Sequence, residues 1–362
     1  MKLDNVQLSD FRNIASASLH PSHSLTLITG KNGSGKSSLI ESLFYLGFGR
    51  SFRTVKHTSV IRNNSDKFSV FAKCITDMGE ELNVGLQRSR SEQFLCSING
   101  EHSNRLTDLV SRIPLQLFTP QSTDLIIGSP GERRRFIDWG LFHVEHNFNK
   151  VFQTYHRLLK NRNALLKQGA LLTAKENAYW EQQLAAVGEE LNVRRKSYVD
   201  ELQSVFNHIS SEFLPEFCLE ISYYKGWEKE LSLAESLVKK SAYDIKVGFT
   251  SSGPHKSDLR FKVDGTIAQE LLSRGQLRMA VAALQLAQTK LFQQQTSRKS
   301  IFLLDDVGAE LDIEKRERFI DGLLAMDTQL FVTAIEREQL AFIDKYKDKK
   351  MFHVEHGRVN EE

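Results

Sequence analysis

The sequence predicts an α/β fold with a mixed sheet at its core and a second, mainly helical lobe set into it. Three observations predict it. A β-type run, Leu25 to Thr29, passes through a glycine-rich loop straight into a helical pattern. A second, wholly apolar run, Ile301-Phe302-Leu303-Leu304, ends in Asp305-Asp306. Between them lies a long stretch whose apolar residues recur in steps of three and four. The 362 residues suffice for one large domain with an insertion, or for two domains. A hydrophobic content of 40% beside 26% charged residues is that of an ordinary folded chain, and a formal charge of +3 leans only weakly toward an anionic partner. No apolar run approaches the roughly 20 residues a membrane-spanning helix needs. The opening MKLDNVQLSDFRN has no apolar core of a signal peptide. Cys74, Cys96 and Cys218 are far apart and odd in number, so neither a disulfide framework nor a zinc spacing is visible. These features predict a cytoplasmic protein.

The loop after the first strand is Gly30-Lys31-Asn32-Gly33-Ser34-Gly35-Lys36-Ser37, which fits G-x-x-x-x-G-K-[ST], and a helical pattern follows from Ser38 to Leu46. Glycines let backbone N–H groups curl round phosphates where a Cβ would obstruct, and the helix N-terminus adds its dipole and unpaired amides. Lys36 is expected to reach the β- and γ-phosphates of a nucleoside triphosphate, and the Ser37 hydroxyl to ligate Mg²⁺. The second run reads as an interior strand of a parallel sheet, and carboxylates at its C-terminal end belong beside such a loop. Asp305 is expected to hold Mg²⁺ through its water shell, and Asp306 to orient the attacking water or accept its proton. Ser38 and Arg12 complete the expected nucleotide contacts.

Lys36 and Asp305 stand 269 residues apart, so something is inserted between them. From His146 to Lys167 apolar residues recur at Phe148, Phe152, Tyr155, Leu158, Leu159 and Leu166, and Gly169 breaks the pattern. A second stripe starts near Trp180 and runs through Leu184, Val187, Leu191, Tyr198, Leu202, Val205, Ile209 and Phe213 until Pro215 stops it. The pair predicts two antiparallel helices, the second near 35 residues and so roughly 50 Å long, without an extended coiled-coil arm. Residues 67 to 100 alternate through short β-like runs with turns at Gly79 and Asn99-Gly100, predicting an antiparallel sheet, and Gln329 to Thr333 reads as another core strand. The expected organisation is an ATPase lobe from 1–120 and 285–362, with a helical lobe from 121–284.

That helical lobe carries Ser273-Arg274-Gly275-Gln276 at the mouth of a long helical pattern. A hydroxyl, glycine-freed amides and a helix N-terminus make a second anion-binding end. Because the first loop already cradles its own nucleotide, this turn is free for the γ-phosphate of another subunit, with two copies sandwiching two nucleotides. The same turn also reads as a plain N-cap serine.

Together the phosphate loop, the Ser273–Gln276 turn, Leu304-Asp305-Asp306 and Ala309-Glu310-Leu311-Asp312 resemble the ABC-type ATPase heads of the SMC and Rad50 class. More narrowly, and over almost its whole length, the chain resembles the RecF family. Matching stretches are LSDFRNI, GKNGSGKSSLIES, GFGRSFR (47–53), FTPQSTDLIIGSPGERRRFIDWGLF (118–142), SSGPHKSDLRF (251–261), SRGQLR and LLDDVGAELD. The resemblance implies a weak ATPase that binds gapped, junction or single-stranded DNA in recombinational repair and replication. It implies an ATP-induced homodimer that works with RecO and RecR, indirectly serves RecA, and supports the SOS response. It assigns Ser273, Gly275 and Gln276 to the partner's γ-phosphate, and Gln121 to sensing Mg²⁺ and water. Two departures stand out: Asp306 replaces the Glu common in such heads, and Thr333-Ala334 stands where a histidine is frequent. Both imply slow turnover, suited to a switch.

DNA contacts are expected from basic clusters at Arg50, Arg53, Lys56 and His57; Arg133 to Arg135; Lys160, Arg162 and Lys167; and Arg194 to Lys196, each of which also reads as a solvated helix face or, at 133–135, as packing. No motif for base-specific reading is present, which predicts binding to shape and backbone. The pentapeptide FHVEH occurs at 142–146 and again at 352–356 without the H-E-x-x-H spacing of a zinc site. An ABC-type transport ATPase subunit is the second reading. The long helical insertion and the FRN opening disfavour it. A nuclease would need a further acidic domain, and no Asn-Lys-x-Asp guanine reader is present.

Overall fold

The structure, a computed structural model, describes residues 1–91, 93–103, 105–167 and 174–362. The Gly169 break lies outside the described residues. The chain divides into two compact units, one of Met1–Ser122 with Phe292–Glu362 and one of Thr123–Leu291.

The first unit begins with β1 (Lys2–Phe11), β2 (Ile14–Leu19), β3 (Leu25–Thr29), α1 (Lys36–Phe48) and β4 (Lys67–Ile75). It continues through β5 (Glu81–Ser89), β6 (Phe94–Ile98), β7 (Glu101–Ser103), α2 (Leu106–Val110) and β8 (Leu115–Phe118). The second unit holds α3 (Asp124–Ile127), α4 (Pro130–Val144), α5 (Phe148–Lys167), α6 (Ala174–Phe213), β9 (Leu219–Tyr224), α7 (Leu233–Val247), β10 (Asp258–Val263), β11 (Thr266–Ile267) and α8 (Ala268–Leu271). Helix α9 (Arg274–Thr296) leads out of it. The first unit then closes with β12 (Ile301–Leu304), α10 (Val307–Glu310), α11 (Ile313–Ala325), β13 (Gln329–Thr333), β14 (Lys349–Glu355) and β15 (Arg358–Glu361).

Two six-stranded sheets build the first unit. One, ordered β2-β1-β4-β5-β6-β7, is antiparallel throughout, and β4 alternates by burying Phe68, Val70, Ala72 and Cys74. The other, ordered β15-β14-β3-β13-β12-β8, is parallel except for the β15 edge. Every residue of β3, β12 and β13 is buried, as a sheet covered on both faces requires. Helix α1 packs against β1 and β4 of the first sheet and against β8 and β13 of the second. It is buried on every side, with Leu39, Ile40, Leu43, Tyr45 and Leu46 wholly or almost wholly inaccessible. Buried Gln329 joins the sheets: its amide accepts from Leu3 N at 2.7 Å and donates to Leu3 O and Ser22 O at 2.8 Å.

In the second unit α5 and α6 run antiparallel, since Arg162 meets Glu181, Tyr155 lies against Gly188 and Glu145 meets Arg194. Helix α6 has 40 residues, starting six positions before Trp180. The extra turns escape a periodicity because Ala174-Lys175-Glu176-Asn177-Ala178 contains no large apolar residue. Strands β9, β10 and β11 form a three-stranded antiparallel sheet absent from the sequence reading, each too short to show its alternation amid helices.

His255, in the turn before β10, is held neutral by its setting. Its Nδ1 accepts from the Tyr155 hydroxyl at 2.7 Å while Nε2 donates to Thr250 O at 2.8 Å. Burial pushes its pKa from 6.5 down to about 4. The folded state therefore binds fewer protons than the unfolded one between those values, so stability is full above pH 6.5 and falls as pH drops toward 4. The contribution is on the order of 3 kcal/mol. His255→Gln keeps one acceptor and one donor without a titrating group. Urea midpoints measured from pH 7 to pH 4 are expected to fall less steeply for this variant than for the wild type.

Candidate nucleotide-binding site

The cavity at the C-terminal edge of the mixed sheet has a volume of about 510 Å³. Its lining includes Asn32, Gly33, Gly35, Lys36, Ser37 and Ser38 from the loop and α1, Asp305 and Asp306 after β12, and Arg12. All of these belong to the first unit. The loop conformation depends on glycine at Gly30 (φ 145°), where a Cβ would sit 2.3 Å from Val354 O, and at Gly35 (φ 125°). Ser34 Oγ is buried and lacks a hydrogen-bond partner within the protein. The Lys36 ammonium folds onto the loop itself, donating to Gly30 O and to Lys31 O at 3.1 Å. Burial lowers its pKa, opposed by the charges of Asp306 and then Asp305. A cradle of glycines, an orphaned hydroxyl and a cation held on carbonyls fit the phosphates of a nucleotide.

The acidic wall is built by three strands. Between β3, which carries the loop, and β12, which carries the carboxylates, lies β13. Thr333 at the end of β13 ties the two together: its Oγ1 donates to Asp305 Oδ1 at 2.9 Å and accepts from Asp306 N at 2.7 Å. Ser37 Oγ donates to the same Asp305 oxygen at 3.2 Å. Burial raises the Asp305 pKa, and the hydrogen bonds from Thr333 and Ser37 counter it. Hydroxyl and carboxylate oxygens gathered at one point fit a hard divalent cation. Asp306 itself adopts a left-handed conformation (φ 55°) that a non-glycine residue holds only where its surroundings enforce it.

Opposite this wall, β1 turns into β2 through Arg12 and Asn13, with Phe11 paired to Ile14. Arg12 has φ 54°, and its guanidinium is fixed by Glu41 at 2.7 and 3.0 Å and by Ser59 O at 2.8 Å. Glu41 is fully buried on α1 and also receives the Ser51 hydroxyl, with Arg53 at 3.6 Å. Asn13, Arg53, Ser59, Ile61, Asn63 and Thr333 line the cavity too, and sequence reasoning assigned none of them to it. Signals existed for Thr333, which stands where a histidine is frequent, and for Glu41, a carboxylate beside the apolar Leu39, Ile40 and Leu43.

The remaining expected residues lie elsewhere. Lys31 is exposed on the loop, and Gln121 is exposed in the 3₁₀ turn Pro120–Thr123; neither is among the lining residues. Ser273, Gly275 and Gln276 belong to the second unit, at the start of α9. There Ser273 N donates to Gln276 Oε1 at 2.8 Å and Gln276 N to Ser273 Oγ at 3.4 Å, a reciprocal capping box. A Cβ on Gly275 would meet nothing within 4 Å.

Three arginines grouped with the DNA-contacting clusters are structural instead. Arg133 pairs with Asp258 at 2.6 Å, Arg162 with Asp244 at 2.7 Å, and Arg195 with Asp138 at 2.8 Å, and all three are buried. A guanidinium removed from water needs a carboxylate and further acceptors, so these residues cannot face a phosphate backbone. Arg53 points to the cavity rather than to a basic face. Lys160, Lys167 and Lys196 are exposed. The two FHVEH copies adopt different structures, the first at the end of α4 and the second at the end of β14, because their neighbours decide.

Thr333→Val removes one hydroxyl without changing shape, leaving Asp306 N unpaired and Asp305 short of a donor. The expected cost is about 1–3 kcal/mol in urea unfolding at neutral pH, with Thr333→Ser close to wild type.

A family model described as the RecF/RecN/SMC N terminal domain matches residues 2–360. The DNA replication and repair protein RecF of Pseudoalteromonas atlantica is 54% identical over 363 residues, spanning 100% of both chains. That of Shewanella piezotolerans is 41% identical over 361 residues, covering 99% of each. A solved structure described as the recombination mediator protein RecF-ATP in the RecFOR pathway superposes with a TM-score of 0.90 over 100% of this chain and 97% of that one, at 24% identity, a likeness of fold. Among the described residues no helix is long and apolar enough to cross a membrane. These likenesses run end to end rather than stopping at the phosphate loop, and so the chain belongs to the RecF family of DNA replication and repair proteins.

Proposed function

We propose that the protein is an ATP-switched DNA clamp: it binds ATP with Mg²⁺, pairs with a second copy, holds gapped or single-strand–double-strand DNA, and releases it on slow hydrolysis. The observation that carries the reading is the cavity, where a phosphate cradle, a buried lysine and a hydroxyl-braced carboxylate converge. Lys36 exchanges its loop carbonyls for the β- and γ-phosphates, and the amides of the loop and Ser38 receive the rest. Arg12, already aligned by Glu41, presents its remaining edge to the nucleotide. Ser37 and Asp305 would hold Mg²⁺, which when bound would neutralise phosphate charge. Asp306 takes the proton of the attacking water; one methylene shorter than Glu, it supports slow turnover. Gln121, exposed on its own turn, serves to sense Mg²⁺ and water.

The Ser273–Gln276 turn serves the second copy. Its capping box opens, freeing the Ser273 hydroxyl and the Gly275 and Gln276 amides for the partner's γ-phosphate. The curated relatives are named for DNA replication and repair, and the structurally similar protein for the RecFOR pathway. On this reading the chain acts with RecO and RecR to help RecA onto DNA, supports the SOS response, and works in the cytoplasm with the chromosome. The full-length match to repair proteins leaves the transport-subunit reading without support.

Sedimentation with and without ATP–Mg²⁺, with a gapped duplex in half the samples, tests the clamp. ATP is expected to produce a dimer that retains DNA. Ser273→Arg is expected to bind ATP as a monomer and lose pairing, because a bulky cation occupies the γ-phosphate position. An ATP-bound wild type that stays monomeric and ignores DNA would reduce the turn to a helix cap.

A further inference from the structure

The back of the phosphate loop is covered by protein. The β14–β15 hairpin places Val354 O where a Gly30 side chain would begin, and brings the Gly357 N–H to Ser34 O at 2.8 Å. From the other side Asn13 Nδ2 donates to the same Ser34 oxygen at 3.0 Å. Both donors come from far along the chain, one from the β1–β2 turn and one from the β14–β15 turn. The two turns also lock each other: Gly357 has φ 77°, and a Cβ there would stand 2.2 Å from Asn13 O. Asn13 in turn covers Gly35, whose Cβ would lie 3.0 Å from Nδ2.

The consequence follows from the planarity of the peptide. In a trans peptide the carbonyl and the following N–H point in opposite directions. With both lone pairs of Ser34 O engaged from behind, the Gly35 N–H faces forward. Glycine at φ 125° tolerates many backbone states, so nothing in its own chemistry chooses this one. We propose that Asn13 and Gly357 are positioning residues that hold the 34–35 peptide with its carbonyl outward, so that the Gly35 amide is already aimed at phosphate before the nucleotide arrives. This rests on the nucleotide reading of the cavity. It makes the hairpin far from the loop in sequence a determinant of nucleotide affinity.

Asn13→Asp keeps the side-chain shape but sets an oxygen against the Ser34 carbonyl; Asn13→Ala merely deletes the donor. A crystal structure of Asn13→Asp without nucleotide is expected to show the 34–35 peptide rotated, and an unrotated peptide would overturn the proposal. In titrations with ADP, both variants are expected to raise Kd, at least tenfold for Asp. In spectra of glycine-labelled protein, the Gly35 amide resonance that shifts on ADP binding to the wild type is expected to shift little in either. Weakened binding with a wild-type Gly35 shift would mean that Asn13 touches the nucleotide directly, which also overturns the proposal. Val84→Ala removes buried packing in β5, away from both turns, and is expected to keep wild-type affinity; an equal loss there would reduce the effect to general stability. The wild-type titration tests the nucleotide reading separately, while the rotated peptide is read without nucleotide.

Discussion

The burial of α1 on every face is the constraint on which the first unit depends. A helix with eleven of its thirteen residues buried has nowhere to go but between two apolar sheets. Its N-terminus is then fixed at the edge of the mixed sheet, and the loop that enters it inherits that position. The contacts of Leu39, Leu43 and Tyr45 therefore place Lys36 and Ser37 as firmly as any bond within the site. The cost is a carboxylate, Glu41, carried into the interior by the same helix. Arg12 and the Ser51 hydroxyl neutralise it, and that demand brings Arg12 to the cavity wall.

Two of the non-glycine residues held at positive φ line the cavity. Arg12 and Asp306 are both held in the left-handed region, which costs a residue with a Cβ roughly 1–3 kcal/mol. Each is over-determined by its neighbours: Arg12 by Glu41 and Ser59, Asp306 by the hydroxyl of Thr333. Conformations this specific bring opposite charges to the two walls of one cavity. Relaxing either would leave the loop in place but disperse the groups around it.

The second unit resolves its charges differently. Arg133, Arg162 and Arg195 each reach a carboxylate of a distant element and further oxygens of the backbone or side chains. Such pairs add little net stability but forbid other packings, since removing one partner strands the other. They join α4 and α6 to the segment that carries Pro254, Ser257 and Asp258, and α5 to Asp244 on α7 and to Thr250.

The sequence by itself determined the elements that rest on local pattern. The strand at 25–29, the phosphate loop, α1, the buried strand ending at Asp305, the strand at 329–333 and the two long helices are all legible from glycine spacing, apolar runs and helical periodicity, because those signals lie within a few residues of one another. Tertiary structure decided everything that depends on which distant groups meet. Periodicity cannot say that β13 lies between β3 and β12, and so cannot find Thr333 beneath Asp305. A run of arginines looks alike whether it faces solvent or a buried aspartate, and only packing distinguished Arg195 from Lys196. The same pentapeptide became helix at 142 and strand at 352, since five residues carry less free energy than the surfaces they join.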